Sequence, residues 1–328
     1  MRVRDCRAGP VVFVAVMVVA GCSSGSSDTK STTPAANAPT TVATAPRPES
    51  KELPGTTLTG DVAFLGPIRT VPVGGLTMAF RQFGQGPDLL MIAGQASSMS
   101  VWPPTTLAAL AEHHRVTIYD NRDLGATATT IKPFTLPDLA DDAAGLIAAL
   151  GLSHPAVFGW STGGEIGLLL AVRHRDVLSS LAVTGATPGG SKSVLPPPEI
   201  IELFATANPD TTKLLDVLFS PSGAAAQGAF IVDHAKVPQP TLTADAAAKY
   251  DAAEREYWRT PEPDLSSIKV PVLVMNGSDD YAVPPANATY IAGRIGPKAT
   301  LELDAGGRHA WFIEHPDHFE KALSVFLG

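Results

Sequence analysis

A serine with a glycine two positions to either side is the residue whose setting most favours covalent chemistry. Ser161 lies between Gly159 and Gly163, after an apolar, strand-like run over 155–160 and before a helix-like run over 165–174. A sharp strand-to-helix turn strains the backbone at the serine, and the two glycines remove side chains that would collide across it. The hydroxyl would then project at a helix N-terminus, where unpaired amides stabilise an oxyanion. The pattern predicts a nucleophile elbow; a capping serine in a glycine-rich turn is the alternative.

A serine nucleophile needs a base to take its proton and a carboxylate to orient that base. His309 follows a predicted strand, 300–303, and a glycine-rich turn, and Asp280 follows the strand predicted for 272–276. Asp279 is the rival acid, although it is more typical of a loop-capping residue. Of the other histidines, none follows a predicted strand directly. His315, next to a proline, and His318, within the last predicted helix, are expected at surface or packing positions.

The hydrophobic pattern predicts strands and helices that alternate along most of the chain. An opening antiparallel hairpin over 68–83 precedes strands and helices that continue to the C-terminus. The later strands are predicted at 87–92, 115–119, 155–160, 181–184, 272–276 and 300–303, and the helices at 105–113, 136–150, 165–174, 285–294 and 316–327. Such alternation is typical of an α/β fold with a mostly parallel, doubly wound sheet, in which ligands bind at the carboxyl ends of strands.

Residues 187–264 interrupt this alternation after the sixth predicted strand and are rich in proline. Helix-like pieces over 199–207 and 244–258 predict an inserted helical lid, called the lid segment below. Its large apolar residues could line a substrate pocket, but most of them are expected to pack the lid against itself or the core. These residues are Phe204, Leu218, Phe219, Phe230, Tyr257 and Trp258.

The N-terminus has the pattern of an export signal. Residues 1–21 combine a basic start with an apolar run too short to span a bilayer, and Cys22 follows small residues. This resembles the lipobox of bacterial lipoproteins. The resemblance implies a lipidated, palmitate-bearing Cys22 that anchors the protein to a membrane, facing the cell envelope. An ordinary secretory signal with an incidental cysteine is the alternative. Cys6 lies in the segment to be removed, so no intramolecular disulfide is expected.

Composition separates a tether from a folded domain. Residues 22–60 are rich in Ser, Thr, Ala and Pro, which predicts a flexible tether, and 61–328 have the composition of one large globular domain. A formal net charge of −8 argues against a nucleic-acid partner.

The motifs together resemble the α/β-hydrolase fold enzymes over about residues 68–328. Their nucleophile, acid and base occur in the order Ser, Asp, His. Members carry G-x-x-D-x-x-x-P after the seventh strand, matched here by Gly277, Asp280 and Pro284. They also carry a glycine-rich turn with a histidine before a Glu-x-Pro, matched by His309 and by 314–316. The resemblance implies a Ser-His-Asp triad that needs no metal and no organic cofactor. The elbow serine argues against epoxide hydrolases and haloalkane dehalogenases, which use an aspartate there.

The resemblance also implies an oxyanion hole made by the backbone amides of Thr162 and Gln95. Many relatives have His-Gly before the second amide, where this chain has Ala-Gly over 93–94. The loop over 120–125 is similar to the family's D-x-R-G-x-G loop, with an aspartate in place of its first glycine. With residues 90–94 this loop is most similar to the aclacinomycin methylesterase branch. Asp120 and Arg122 are expected to brace the loop.

The leading hypothesis is therefore a serine-dependent carboxylic ester hydrolase of the cell envelope that acts on a small-molecule ester or acyl substrate. Perhydrolase, lactonase, thioesterase and acyltransferase activity with the same triad stay open. Residues 160–164 are also similar to cofactor-free haloperoxidases. A non-catalytic lipoprotein that uses the fold as a binding module is the alternative of a different class. The sequence does not indicate an oligomeric state.

Overall fold

The computed structural model describes residues 47–328. The predicted signal segment, the lipidation residue Cys22 and most of the predicted tether therefore lie outside the described residues. The end of the predicted tether needs correction, because Lys51–Glu52 pairs antiparallel with Arg69 and Thr70. This edge pairing uses backbone groups, so it leaves no apolar pattern in the sequence. The chain thus joins the sheet before residue 61.

The described chain forms one nine-stranded sheet that is antiparallel at one edge and parallel elsewhere. Its strands are β1 (Lys51–Glu52), β2 (Arg69–Val73), β3 (Leu76–Phe83), β4 (Asp88–Ile92), β5 (Arg115–Tyr119), β6 (Ala156–Trp160), β7 (Ser180–Thr184), β8 (Val272–Gly277) and β9 (Ala299–Asp304). The strand order is β1-β2-β3-β5-β4-β6-β7-β8-β9. All pairs from β5 to β9 are parallel, which confirms the predicted mostly parallel sheet.

Helices connect the parallel strands and cover both faces of the sheet. They are α1 (Pro104–Ala111), α2 (Leu136–Leu150), α3 (Thr162–Arg173), α4 (Pro198–Phe204), α5 (Thr211–Leu218), α6 (Ala224–His234), α7 (Ala244–Arg259), α8 (Ala286–Ile295), α9 (Trp311–Glu314) and α10 (Pro316–Leu327). Helix α2 has the predicted bounds because both of its ends are specified locally. Thr135 and Asp138 form a reciprocal capping box, and Gly151 ends the helix in the left-handed conformation.

Alternate side chains of the central strands pack into two separate hydrophobic cores, one on each face of the sheet. In β4, Leu90 and Ile92 face the core that includes α2, α3 and α8, whereas Leu89 and Met91 face the core that includes α1, α9 and α10. All four side chains are fully buried. A strand buried on both faces reads as a continuous apolar run, which is why β4 and β6 were predictable. The two cores fix the position of the loops at the carboxyl ends of the strands.

The lid segment lies between β7 and β8 and contains four helices, α4 to α7. The sequence predicted α4 and α7 but not α5 and α6. Within residues 47–328, no single helix has the length and apolar composition to cross a membrane. The pair Thr211–Leu218 and Pro221–His234 meets those criteria together but bends by 109° at its break.

Candidate active site

Ser161 occupies the strained turn that the sequence predicts. Its backbone has φ 58° and ψ −127°, and helix α3 begins at the next residue. A Cβ atom on Gly159 would lie 2.3 Å from the Gly163 carbonyl oxygen, and one on Gly163 would lie 2.0 Å from the Ile92 carbonyl oxygen. Only glycine fits at either position without moving the backbone. The close packing of β6, α3 and β4 thus holds the serine at the carboxyl end of the sheet.

The structure brings His309 and Asp280 together, although they come from loops that follow different strands. His309 Nδ1 lies 2.8 Å from Asp280 Oδ2, and both residues are almost completely buried. The second carboxylate oxygen of Asp280 accepts the Val283 amide at 2.8 Å. A carboxylate at Nδ1 places the neutral imidazole's proton there and leaves Nε2 as the acceptor. Asp279 is instead exposed and accepts a hydrogen bond from the Ser278 hydroxyl.

Three residues that sequence reasoning missed hold the histidine and its acid. Gly185 has φ 60°, and a Cβ there would lie 2.8 Å from His309 Cε1. The Asn276 side chain accepts the Gly185 amide at 3.0 Å and donates to the Val283 carbonyl at 3.0 Å. The Trp160 indole donates to the His309 carbonyl at 3.0 Å. Their positions in the sequence could have indicated two of these residues, because Gly185 follows β7 and Asn276 lies near the end of β8, where site residues of parallel sheets are found.

Ser161, His309 and Gln95 line one cavity of about 510 Å³. Its apolar wall comes mainly from the lid segment, and includes Leu203, Phe204, Leu214, Leu218 and Phe230. Phe219 and Tyr257, which the sequence also offered as lining residues, are instead buried in the protein core. The cavity can therefore accommodate an apolar group beside the serine.

His234 adds a polar atom to this apolar wall, although the sequence gave no reason to place it there. Its ring stacks on Phe230 with centroids 5.2 Å apart, and its Nδ1 finds no hydrogen-bond partner within residues 47–328. Burial lowers the pKa of His234, so the neutral imidazole is favoured.

The amides of Thr162 and Gln95 are available to bind an oxyanion. Neither amide donates a hydrogen bond to another group of the described chain. The Thr162 amide opens α3, where the helix dipole adds positive potential, and Gln95 lies in the turn after β4. Both turns adjoin Ser161, because Gly94 packs against the serine side chain.

Two buried carboxyls, which sequence reasoning missed, lie beside the elbow. The Thr162 hydroxyl donates to Glu254 Oε1 at 2.6 Å, and the Thr187 hydroxyl donates to Glu165 Oε1 at 2.5 Å. Burial raises the pKa of Glu254 to about 7, although the hydrogen bond from Thr162 acts in the opposite direction and lowers it. Burial and then the charge of Glu254 raise the pKa of Glu165 well above its usual range. A proton is therefore retained on this pair under conditions in which an exposed glutamate is ionised.

The loop over 120–125 is braced by ionic contacts. Asp120 accepts the Met99 amide at 2.7 Å and the Ala126 amide at 2.8 Å. Arg122 makes two 2.7 Å bonds to Asp142 of α2. Asp123, in the left-handed conformation, pairs with Lys249 of α7 at 2.8 Å, a contact the sequence did not predict. The loop thus connects the lid segment to the core.

The remaining histidines near the C-terminus do not line either of the cavities that Ser161 lines. His315 and His318 both contact Asp304, at 2.5 and 2.6 Å, and are partly exposed. Among residues 47–328, no group of three or more His, Cys, Asp or Glu side chains is arranged to hold a metal ion.

Known proteins are similar to this chain in sequence and in fold. Residues 89–322 match the sequence model of the alpha/beta hydrolase family. The putative carbamate hydrolase RutD of Caulobacter sp. strain K31 is 31% identical over 259 residues, which cover 73% of this chain and 90% of the relative. The chain belongs to the alpha/beta hydrolase family.

Two further comparisons extend this alpha/beta hydrolase assignment. The pimeloyl-[acyl-carrier protein] methyl ester esterase of Aeromonas hydrophila is 27% identical over 266 residues, which cover 77% of this chain and all of the relative. An alpha/beta hydrolase fold protein from Chitinophaga pinensis superposes with a TM-score of 0.69 at 23% identity, over 79% of this chain and 96% of that structure. The superposition confirms the predicted α/β-hydrolase fold.

Proposed function

We propose that this alpha/beta hydrolase is a serine-dependent carboxylic ester hydrolase that works through an acyl-enzyme intermediate. The observation that carries the proposal is the buried 2.8 Å contact between His309 Nδ1 and Asp280 Oδ2 on the wall of the cavity that Ser161 lines. An imidazole oriented by a buried carboxylate is the base that a serine hydroxyl needs. A purely structural histidine would have no need to line the same two cavities as the strained serine.

The proposed reaction gives each group at the site a role. His309 Nε2 removes the proton from the Ser161 hydroxyl as its oxygen attacks the ester carbonyl, and Asp280 stabilises the imidazolium that forms. The amides of Thr162 and Gln95 bind the oxyanion, where loss of one donor typically costs about 3 to 4 kcal/mol of transition-state stabilisation. His309 returns the proton to the leaving alcohol. Water, activated by the same histidine, then releases the acid from Ser161.

The cavity and the relatives both support the proposed substrate class. The cavity of about 510 Å³ with apolar lid residues favours a small-molecule ester with a sizeable apolar part. The names of the two sequence relatives, a carbamate hydrolase and a methyl ester esterase, both describe cleavage at a carbonyl group. The likeness of residues 90–94 and 120–125 to aclacinomycin methylesterases stays a prediction.

The test uses the full chain with short-chain nitrophenyl esters as probes. We expect turnover by the wild-type protein and a rate several orders of magnitude lower in Ser161→Ala. A Ser324→Ala variant, which changes an exposed serine on α10, provides a control for protein quality. An unchanged rate in Ser161→Ala would reject the serine mechanism. Product analysis with peroxide present separates ester hydrolysis from perhydrolysis.

We also propose that the enzyme is exported and held on a membrane, facing the cell envelope, by lipid on Cys22. The support is the sequence alone: the basic and apolar residues 1–21, and the small residues before the cysteine. Labelled palmitate should be incorporated into the wild-type protein but not into Cys22→Ser. Release of active wild-type enzyme into the medium, without label, would instead indicate an ordinary secretory signal.

A further inference from the structure

A second, smaller cavity adjoins the serine. Its volume is about 30 Å³, and it shares Gln95, Ser161, Phe204 and His309 with the large cavity. Its remaining wall is mixed and consists of Glu165, Thr187, Glu254 and Trp258 together with the apolar Pro196, Ile201, Ala282 and Val283. The large cavity is lined mainly by apolar lid residues, whereas carboxyl, hydroxyl and indole groups form part of the wall of the small one. Ser161 therefore lies between a large apolar space and a small one of mixed character.

Two residues of this wall each carry a polar atom that has no partner among residues 47–328. Glu165 is 2% exposed, and its Oε1 accepts the Thr187 hydroxyl, yet its Oε2 has no hydrogen-bond partner. The indole Nε1 of Trp258 is likewise buried and without a partner. Trp258 lies close enough to favour the ionised form of Glu165, but the two groups do not reach hydrogen-bonding geometry with each other. A buried polar atom without a partner is rare, and at a cavity wall it points to a ligand group.

We propose that the small cavity is a polar subsite in which Glu165 and Trp258 bind a hydroxyl group of the substrate beside the scissile ester. This inference rests on the proposed ester hydrolase function. The hydroxyl accepts a hydrogen bond from the Trp258 indole and forms a second bond with Glu165 Oε2. The proposed substrate is therefore an ester with a large apolar part on one side of the scissile bond and a short hydroxyl-bearing part on the other.

A hydroxyl fits this site better than the other polar groups of similar size. The indole N–H is a donor only, so the ligand must accept, and an ammonium group cannot. A carboxylate would be placed against Glu165 and Glu254 together, which disfavours an anion. Burial favours a proton on the glutamate pair. A hydroxyl can accept from a protonated Glu165 or donate to an ionised one, so it satisfies the site in either state.

The volume sets the length of the polar part. About 30 Å³ is room for one group the size of a water molecule, so the hydroxyl must be carried on a short chain from the ester.

Two matched pairs of esters test for a bound hydroxyl on either side of the scissile bond. 2-Hydroxyethyl hexanoate is compared with propyl hexanoate, and hexyl glycolate with hexyl propanoate. Each pair replaces a hydroxyl by a methyl group of nearly the same size.

The experiment measures kcat/KM for the four esters with the full chain. We expect one hydroxylated ester to exceed its partner by about tenfold or more, because the methyl group leaves two buried polar atoms unpaired. Trp258→Phe, which keeps the ring and removes the donor, should bring that ratio close to one. Phe230→Leu, in the wall of the large cavity, should change the preferred apolar chain length and keep the ratio.

The outcomes separate the two proposals. If all four esters are cleaved and both wild-type ratios are near one, the cavity holds no substrate hydroxyl and the subsite proposal is overturned, while ester hydrolysis stands. If none is cleaved, the proposed function fails and the subsite proposal fails with it. The kcat/KM ratios of the wild-type protein test the subsite proposal even if Trp258→Phe does not fold. A large ratio that Trp258→Phe leaves intact would also overturn the assignment to Trp258.

Discussion

The Thr162 hydroxyl donates a 2.6 Å hydrogen bond to Glu254, 92 residues further along the chain. Thr162 begins α3 directly after the nucleophilic serine proposed above, and Glu254 lies on α7 of the lid segment. Both side chains are buried. The bond therefore connects the lid to the residue whose amide we expect to bind the oxyanion. We expect a movement of α7 to alter the position of the turn that contains Ser161.

Replacing Glu254 should change how stability depends on pH. Burial raises the pKa of Glu254 from 4.5 to about 7, so between these values the folded state keeps a proton that the unfolded state has released. The contribution of Glu254 to stability therefore falls as pH rises through this range. In Glu254→Gln the change in stability over this range should lack that fall, a difference from wild type of at least about 1 kcal/mol, measured by urea unfolding at several pH values. Glu256→Gln, exposed on the same helix, should keep the wild-type slope.

Asp280 and Asp279 should differ sharply when each is changed to asparagine. Asp280→Asn removes the carboxylate that holds the His309 tautomer, and the corresponding change in another serine hydrolase lowers kcat by about 10⁴. We expect a loss of about 10³ to 10⁴ here, measured with nitrophenyl esters. Asp279→Asn alters only an exposed loop and should stay within about twofold of wild type. Equal effects in the two variants would contradict the assignment of the acid.

Gly185→Ala tests whether the room beside the imidazole matters. The glycine has φ 60°, and the new methyl group would lie 2.8 Å from His309 Cε1. We expect kcat to fall at least about a hundredfold and stability to fall by about 1 to 3 kcal/mol, because the backbone is strained and the ring is displaced. Gly293→Ala, in α8 with open space around it, should be neutral or slightly stabilising. Full activity in Gly185→Ala would contradict this account, because it would show that the His309 ring can accommodate the added methyl group.

The elements were predictable where local signals specify them. The bounds of α2 follow from Thr135 and Gly151, and the elbow follows from glycines that only a tight turn requires. Strand β1 was missed because a two-residue edge strand is specified by backbone pairing rather than by its side chains. The candidate triad was predictable because each member follows a strand, and parallel strands bring their carboxyl ends together.

The polar surroundings of the site were not predictable for a different reason. Glu165 looks like an ordinary first-turn helix residue, and Glu254 like one of several acidic residues on an exposed helix. Their proximity depends on how the lid segment folds back over the elbow, and no short-range pattern encodes that contact. The same holds for Trp258 and His234, whose roles in the cavity walls follow from the packing of α6 and α7.

The two arginine–aspartate pairs at α2 should contribute unequally to stability. Arg122 and Asp142 form a bidentate pair that is largely buried, whereas Arg173 and Asp141 are both more than 40% exposed. Arg122→Ala leaves a buried carboxylate unpaired and should cost about 3 kcal/mol of unfolding free energy. Arg173→Ala should cost less than about 1 kcal/mol. Thermal and urea unfolding of both variants measure this difference in unfolding free energy. Equal losses in the two variants would contradict the conclusion that the buried Arg122–Asp142 pair braces the loop.

Covalent labelling of the elbow serine tests the central claim most directly. A fluorophosphonate reacts with a serine only when a neighbouring base activates it. Incubation of the full chain followed by peptide mass mapping should give one adduct, on Ser161, and its rate of formation should fall steeply in Asp280→Asn. An unlabelled Ser161 in the folded protein would contradict the enzymatic function and favour a non-catalytic binding module.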